Sequence, residues 1–168
     1  PRIKLLKLSR NFGKEAALTA GIDYAVGDAL IVIDADLQDP PELFSQMLEA
    51  WEKGEDVVCM RRRSRAGETA LKKISSYAYY RFLNYLSEVN IPYDVGDFRL
   101  LSRPATDAIK SLPEKSRYMK GLFAWVGFNP TFIEYDRDPR LAGTSKWNYL
   151  SLFKLAFDGI TSFSVAPL

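Results

Sequence analysis

Short apolar runs alternate along the chain with stretches whose apolar residues recur every three or four positions, the pattern of strands feeding helices. Strands are expected over 3–8, 29–33 and 56–60. Between the first two, Ala17, Leu18, Gly21, Ile22 and Ala25 share one helical face over 14–26, with Gly27 placed to end the helix. Leu43, Phe44, Met47, Leu48 and Trp51 predict a second helix over 41–53, closed by Gly54. Asp39, three residues before Glu42, has the form of a capping box for that helix, and proline is tolerated in its first turn.

The later half reads less evenly. A long helix over 68–88 carries Tyr77, Tyr79, Tyr80, Phe82 and Tyr85, which suit either a core face with snorkelling tyrosines or a membrane-interface belt. A strand follows over 95–101, then a helix opened by Pro104 and running to 111, a helix over 118–126, a strand over 131–135 and an amphipathic helix over 147–160. Alternating strands and helices predict an α/β protein with an open, mostly parallel sheet flanked by helices.

Composition narrows this picture. With 168 residues, 47% apolar and 26% charged, the chain is expected to fold as one globular domain over 1–168. A net charge of +2 does not suggest a general nucleic-acid binder. The chain contains no histidine, which excludes Ser-His-Asp chemistry and histidine-bound zinc. The single cysteine, Cys59, lies in an apolar run and fits a reducing compartment. No stretch reaches the ~18 apolar residues of a membrane-spanning helix. The chain opens on Pro1, apparently inside a strand, and is expected to be a fragment lacking its natural beginning and end.

Asp34 and Asp36 stand directly after the apolar run 29–33, at the carboxyl end of a strand, where open α/β sheets bind ligands. Alternation lets both carboxylates face one side. At about 5 to 6 Å and an effective dielectric near 20 they would repel by roughly 3 kcal/mol, which calls for a counter-charge. A divalent cation is the simplest one, and all-oxygen ligands favour Mg2+ or Mn2+, whose shell is completed by substrate phosphates. Arg61, Arg62, Arg63 and Arg65 follow the next strand, on what should be the same rim, and guanidinium forks suit phosphate. Taken by themselves, the acids also read as solvated loop residues and the basic run as a solvated loop.

Four blocks carry a resemblance. Ser9-Arg10-Asn11-Phe12-Gly13-Lys14-Glu15-Ala16-Ala17, Asp34-Ala35-Asp36-Leu37-Gln38-Asp39-Pro40-Pro41-Glu42, Gly96-Asp97-Phe98-Arg99-Leu100 and Arg140-Leu141-Ala142-Gly143-Thr144-Ser145-Lys146-Trp147 run in the order found in one family. Together they resemble the polyprenyl-phosphate glycosyltransferases of GT-A, family 2 type, most closely the bactoprenol glucosyltransferases, which are related to dolichol-phosphate mannose synthase. The resemblance implies a Rossmann-like GT-A domain truncated at its N-terminal strand. It also implies inverting, metal-dependent transfer of a sugar, glucose in this subgroup, from a UDP-sugar to a polyprenyl phosphate at the cytoplasmic face of the cell membrane.

Residue by residue, the resemblance makes Asp34, Asp36 and Gln38 the Mg2+ or Mn2+ site and Asp97 the catalytic base, expected to orient the acceptor more than to extract a proton. Arg140, Ser145 and Lys146 would hold the donor diphosphate, and Arg61, Lys73 and Arg99 the acceptor phosphate. The region 147–168 would lie in the membrane interface or pack on this domain or a neighbouring subunit. The membrane surface, and a homo-oligomeric partner, are thus added to the donor and the lipid as partners; nucleic acid is not among them. Two other readings stay open: a family 2 transferase with a soluble glycan acceptor, and a catalytically silent module that binds nucleotide sugars.

Overall fold

The computed structural model describes residues 3–63, 81, 95–113 and 118–136. Helix α1 (Lys14–Tyr24) leads to strand β1 (Ala29–Val32), and a 3-10 turn (Pro41–Leu43) runs into helix α2 (Phe44–Glu52). Strand β2 (Val57–Arg62), strand β3 (Val95–Ser102), helix α3 (Arg103–Ser111), helix α4 (Met119–Trp125) and strand β4 (Pro130–Tyr135) follow. The elements expected over 68–88 and 147–160 lie outside the described residues, apart from Arg81, which is helical.

The sheet has the order β1-β3-β2-β4. Strand β3 pairs antiparallel with both β1 and β2, and β2 pairs parallel with β4. Thus β1, β2 and β4 point one way and β3 is reversed between them. The α/β class is as expected, and the reversal has a direct consequence: the amino end of β3 reaches the rim formed by the carboxyl ends of β1 and β2.

Side-chain alternation sorts the core onto two faces. Val57 and Cys59 face one side with Leu101, packing against Ile22 of α1, Ala105 and Ile109 of α3, and Met119, Leu122 and Phe123. Val58 and Met60 face the other with Phe98 and Leu100, packing against Met47 of α2 and Tyr135. Burial pushes the Cys59 thiol above its ordinary range, so it serves as core filling and not as a nucleophile.

Local signals set most boundaries. Gly54 ends α2 at φ +100°, with Glu55 N–H donating to the Ala50 carbonyl (3.2 Å) and Gly54 N–H to that of Trp51 (2.9 Å), a Schellman closure. Ser102 caps α3: its Oγ accepts the Ala105 N–H at 3.3 Å and donates to Asp56 Oδ1 at 2.6 Å.

Three expectations are corrected. Residues 3–8 form no strand: they run irregularly, with Ile3 and Leu5 exposed, because alternation marks a segment fit for pairing but supplies no neighbour to pair with. Helix α1 ends at Ala25, whose backbone is already extended, and not at Gly27; the Gly27 carbonyl accepts from Arg103 Nη2 instead. The first turn before α2 is preceded by Pro40, with no side-chain cap. Asp39 is instead buried, and its Oδ1 accepts the Tyr135 hydroxyl at 2.5 Å, tying the loop after β1 to the end of β4.

Candidate active site

The register of β1 on β3 builds the site. Val32 lies opposite Arg99, and continuing that antiparallel register by two residues brings Asp34 level with Asp97. Two acids thus face each other across the rim. Between them stands Lys14, the first residue of α1. Its Nζ lies 2.8 Å from Asp34 Oδ1, 3.0 Å from Asp34 Oδ2 and 2.6 Å from Asp97 Oδ2.

Lys14 is held there by the turn before it. Gly13 adopts φ +92°, a conformation that disfavours any side chain, and its N–H donates to Asn11 Oδ1 at 2.9 Å. A lysine at the start of a helix stands at the positive end of the helix dipole, an unfavourable place for a cation unless acids face it. That mismatch is the signal in the sequence that could have singled out Lys14, which was quoted above as part of a block without a role. The counter-charge assigned to a metal on grounds of repulsion is thus already present, at Asp34, in a side chain of the protein.

The electrostatics follow from this bridge. Burial pushes the Asp97 carboxyl up, but the ammonium of Lys14, with Lys120 and Arg99, more than offsets it and holds the group below the ordinary aspartate range. Burial likewise pushes Lys14 down, while Asp97 and Asp34 raise it above the usual lysine value. Glu15 is raised, first by burial, although its Oε2 accepts the Met119 N–H at 3.1 Å. A lowered Asp97 contributes stability that is present above the unfolded value near 3.8 and is lost as pH falls through the folded value. Asp97→Asn should therefore destabilise the protein in urea melts at neutral pH, and the gap to wild type should narrow below about pH 4.

Asp36 lies on the loop beyond Asp34. Its Oδ1 accepts the Gln38 N–H at 3.2 Å, and between them Leu37 adopts the left-handed conformation at φ 57°, uncommon for a leucine. The turn aligns Asp34, Asp36 and Gln38 along one half-exposed edge. Among the described residues no group of three or more Asp, Glu, Cys or His side chains could hold a metal ion. Asp34, Asp36 and Gln38 bring two carboxylates and one amide oxygen, an incomplete all-oxygen set. That chemistry fits a hard divalent ion whose remaining ligands are water and phosphate.

The basic residues divide. Arg61 stacks its guanidinium 3.9 Å from the centre of the Phe132 ring, at the end of β2 on the same rim. Arg99 is buried beside Asp97, stacked 3.9 Å over Phe123, with Nη2 donating to the Gly96 carbonyl at 2.8 Å. The Nε atoms of Arg61, Arg62 and Arg99 are buried without a hydrogen-bond partner. Arg62, on the opposite face, bonds the Tyr135 hydroxyl and fills the space beside Gly96, where an added Cβ would meet its Nη2 at 3.2 Å. Lys73, Arg140, Ser145 and Lys146 lie outside the described residues. The structure therefore brings Asp34 and Asp97 together on Lys14, with Lys120 and Arg99 close enough to act on Asp97, while Asp36 and Gln38 lie on the loop beyond Asp34 and Arg61 at the end of β2.

Residues 1–110 match the family described as Glycosyl transferase family 2. The chain belongs to that family. A glycosyltransferase of Synechocystis sp., itself uncharacterized, is 54% identical over 167 residues, 99% of this chain and 52% of the relative. The glycosyltransferase YkcC of Bacillus subtilis, likewise uncharacterized, is 51% identical over the whole chain and 52% of its own length. The bactoprenol glucosyl transferase of Shigella phage SfX is 46% identical over the whole chain and 55% of its own length. The chain thus spans about half the length of the curated relatives it matches. Among the described residues no helix is long and apolar enough to cross a membrane.

Proposed function

We propose that this chain is the catalytic domain of an inverting transferase that moves glucose from a UDP-sugar to a polyprenyl phosphate at the cytoplasmic face of a membrane. The observation that supports the reading is the meeting of Asp34 and Asp97 on the single ammonium of Lys14. The name of the Shigella phage relative supports the choice of a bactoprenol acceptor and a glucosyl donor.

Asp34, Asp36 and Gln38 would hold Mg2+ or Mn2+ against the donor diphosphate. When bound, such an ion supplies charge stabilisation to the departing diphosphate. The remaining work falls to the protein. A phosphate monoester with a second pKa near 6 is mostly ionised at pH 7, so its oxygen needs orientation more than deprotonation. That oxygen attacks the anomeric carbon as the bond to UDP breaks on the opposite side, inverting the centre. Asp97, kept ionised by Lys14, Lys120 and Arg99, would fix the approach of the monoester and is too weak a base to be needed for its proton. Arg61, beside Phe132, would receive the acceptor phosphate, and the charge of Arg99 helps to keep Asp97 ionised.

Incubating the full-length parent with labelled UDP- and GDP-sugars and undecaprenyl phosphate, with and without Mn2+, tests this reading. Label from UDP-glucose should enter the lipid only with the divalent ion. Label in an added oligosaccharide in preference to the lipid would instead show a soluble glycan acceptor. Donor binding without turnover on any acceptor would show a silent module.

A further inference from the structure

We propose that Lys14 is a built-in cation of this site: it clamps Asp34 to Asp97 while no divalent ion is bound, and it must release Asp34 when one arrives. Lys14 thereby sets metal affinity and keeps Asp97 in place across the exchange. The inference rests on the metal reading given under the proposed function and goes beyond it, since it assigns the competition for Asp34 to a side chain of the chain itself.

The geometry points to exchange and not to a permanent strut. The ammonium contacts both oxygens of Asp34, at 2.8 and 3.0 Å, so the carboxylate turned toward Lys14 has both of its oxygens engaged. A divalent ion held by Asp34 and Asp36 would compete with that ammonium for the lone pairs of Asp34. The two legs of the bridge differ. Asp97 is the more enclosed acid, 13% exposed against 31% for Asp34, and its contact with Lys14 is the shorter at 2.6 Å. The lysine side chain is 48% exposed, which leaves it room to move off the outer carboxylate while remaining with the inner one.

The surroundings favour the same division. Asp97 also feels the positive charges of Lys120 and Arg99, which help to keep it ionised as Lys14 shifts. The backbone at Lys14 follows a turn in which the Gly13 N–H donates to Asn11 Oδ1, so exchange asks movement only of the flexible four-carbon stem. A resident ammonium also offsets the repulsion between Asp34 and Asp97 before substrate binds. One charge shared by two acids is sufficient for the empty site and insufficient once diphosphate brings further negative charge.

The test is a Mn2+ titration of the full-length parent, followed by the EPR signal of the free ion, for wild type, Lys14→Met, Lys14→Arg and Asp34→Asn. Lys14→Met should bind Mn2+ about tenfold more tightly, as expected on removing one competing unit charge from a half-exposed site. Lys14→Arg, which keeps the charge, should stay near wild type. A lysine that merely supported the fold would act oppositely, since loosening the site lowers metal affinity. Equal or weaker binding by Lys14→Met, with Asp34→Asn still losing the ion, would overturn the role of Lys14 and leave the metal reading standing. Binding unchanged in Asp34→Asn would remove the metal reading, and this inference with it.

Discussion

Asp36→Asn should slow sugar transfer by roughly 10²- to 10³-fold while leaving the fold intact, the scale of a few kcal/mol of charge stabilisation lost at a metal–diphosphate centre. Asparagine keeps an oxygen where Asp36 Oδ1 accepts the Gln38 N–H, so the turn around Leu37 survives the change. What is lost is the negative charge on the half-exposed edge facing solvent. Asp34→Asn should show the same loss, with an additional effect on Lys14, whose ammonium would keep Asp97 alone as a charged partner. Initial rates at saturating donor, with Mn2+ varied, separate a loss of ion affinity from a loss of turnover. Wild-type rates in Asp36→Asn at low Mn2+ would refute the assignment.

Phe98→Ala should cost about 3–5 kcal/mol of folding stability, in the range for deleting a buried phenylalanine. Phe98 is only 1% exposed and sits at the centre of the core face covered by α2. Its ring meets Phe44 edge-on at 6.1 Å and Tyr135 at 5.8 Å, so it joins α2 to β3 and β3 to the end of β4. Removing it leaves Met47, Leu100 and Tyr135 facing a cavity that a strand-borne site cannot close by a small shift. Because Asp97 and Arg99 flank it on β3, the loss should also loosen the bridge to Lys14. Denaturant melts measure the cost directly, and a value under 1 kcal/mol would show that the α2 face is not packed as described.

Much of the fold was legible because its signals are local. The unbroken apolar run Val57-Val58-Cys59-Met60 identified β2, and the apolar spacing from Leu43 to Trp51 with Gly54 beyond it identified α2. Direction was not legible. A period of two reads the same forwards and backwards, so nothing in residues 95–101 announced that β3 runs against its neighbours. Yet that reversal is what carries Asp97 to the rim of Asp34. The strand expected over 3–8 failed for the complementary reason: alternation describes a pairing surface, and pairing needs a second strand.

The site divides in the same way. Asp34 and Asp36 stood out because charged residues directly after a buried strand are costly unless used. Lys14 did not, since its partners lie far away in sequence on another strand, and its only local mark is a cation at the wrong end of a helix. Asp39 was misread as a cap because the capping-box spacing with Glu42 is a local pattern, whereas its partner, the Tyr135 hydroxyl, is 96 positions away. Burial and the Asp39 bond push that hydroxyl up to about 12, so it remains protonated and donates throughout the neutral range.

The central proposal is that the rim carrying Asp34 and Asp97 on Lys14, with Asp36 on the loop beyond, transfers sugar to a lipid phosphate. The most direct measurement follows labelled glucose from UDP-glucose into undecaprenyl phosphate, by wild type and Asp97→Asn of the full-length parent, at neutral pH in a single turnover. The account predicts rapid labelling of the lipid by wild type and a large fall in Asp97→Asn at unchanged donor binding. Equal labelling by both proteins, or no lipid labelling by wild type, would contradict it.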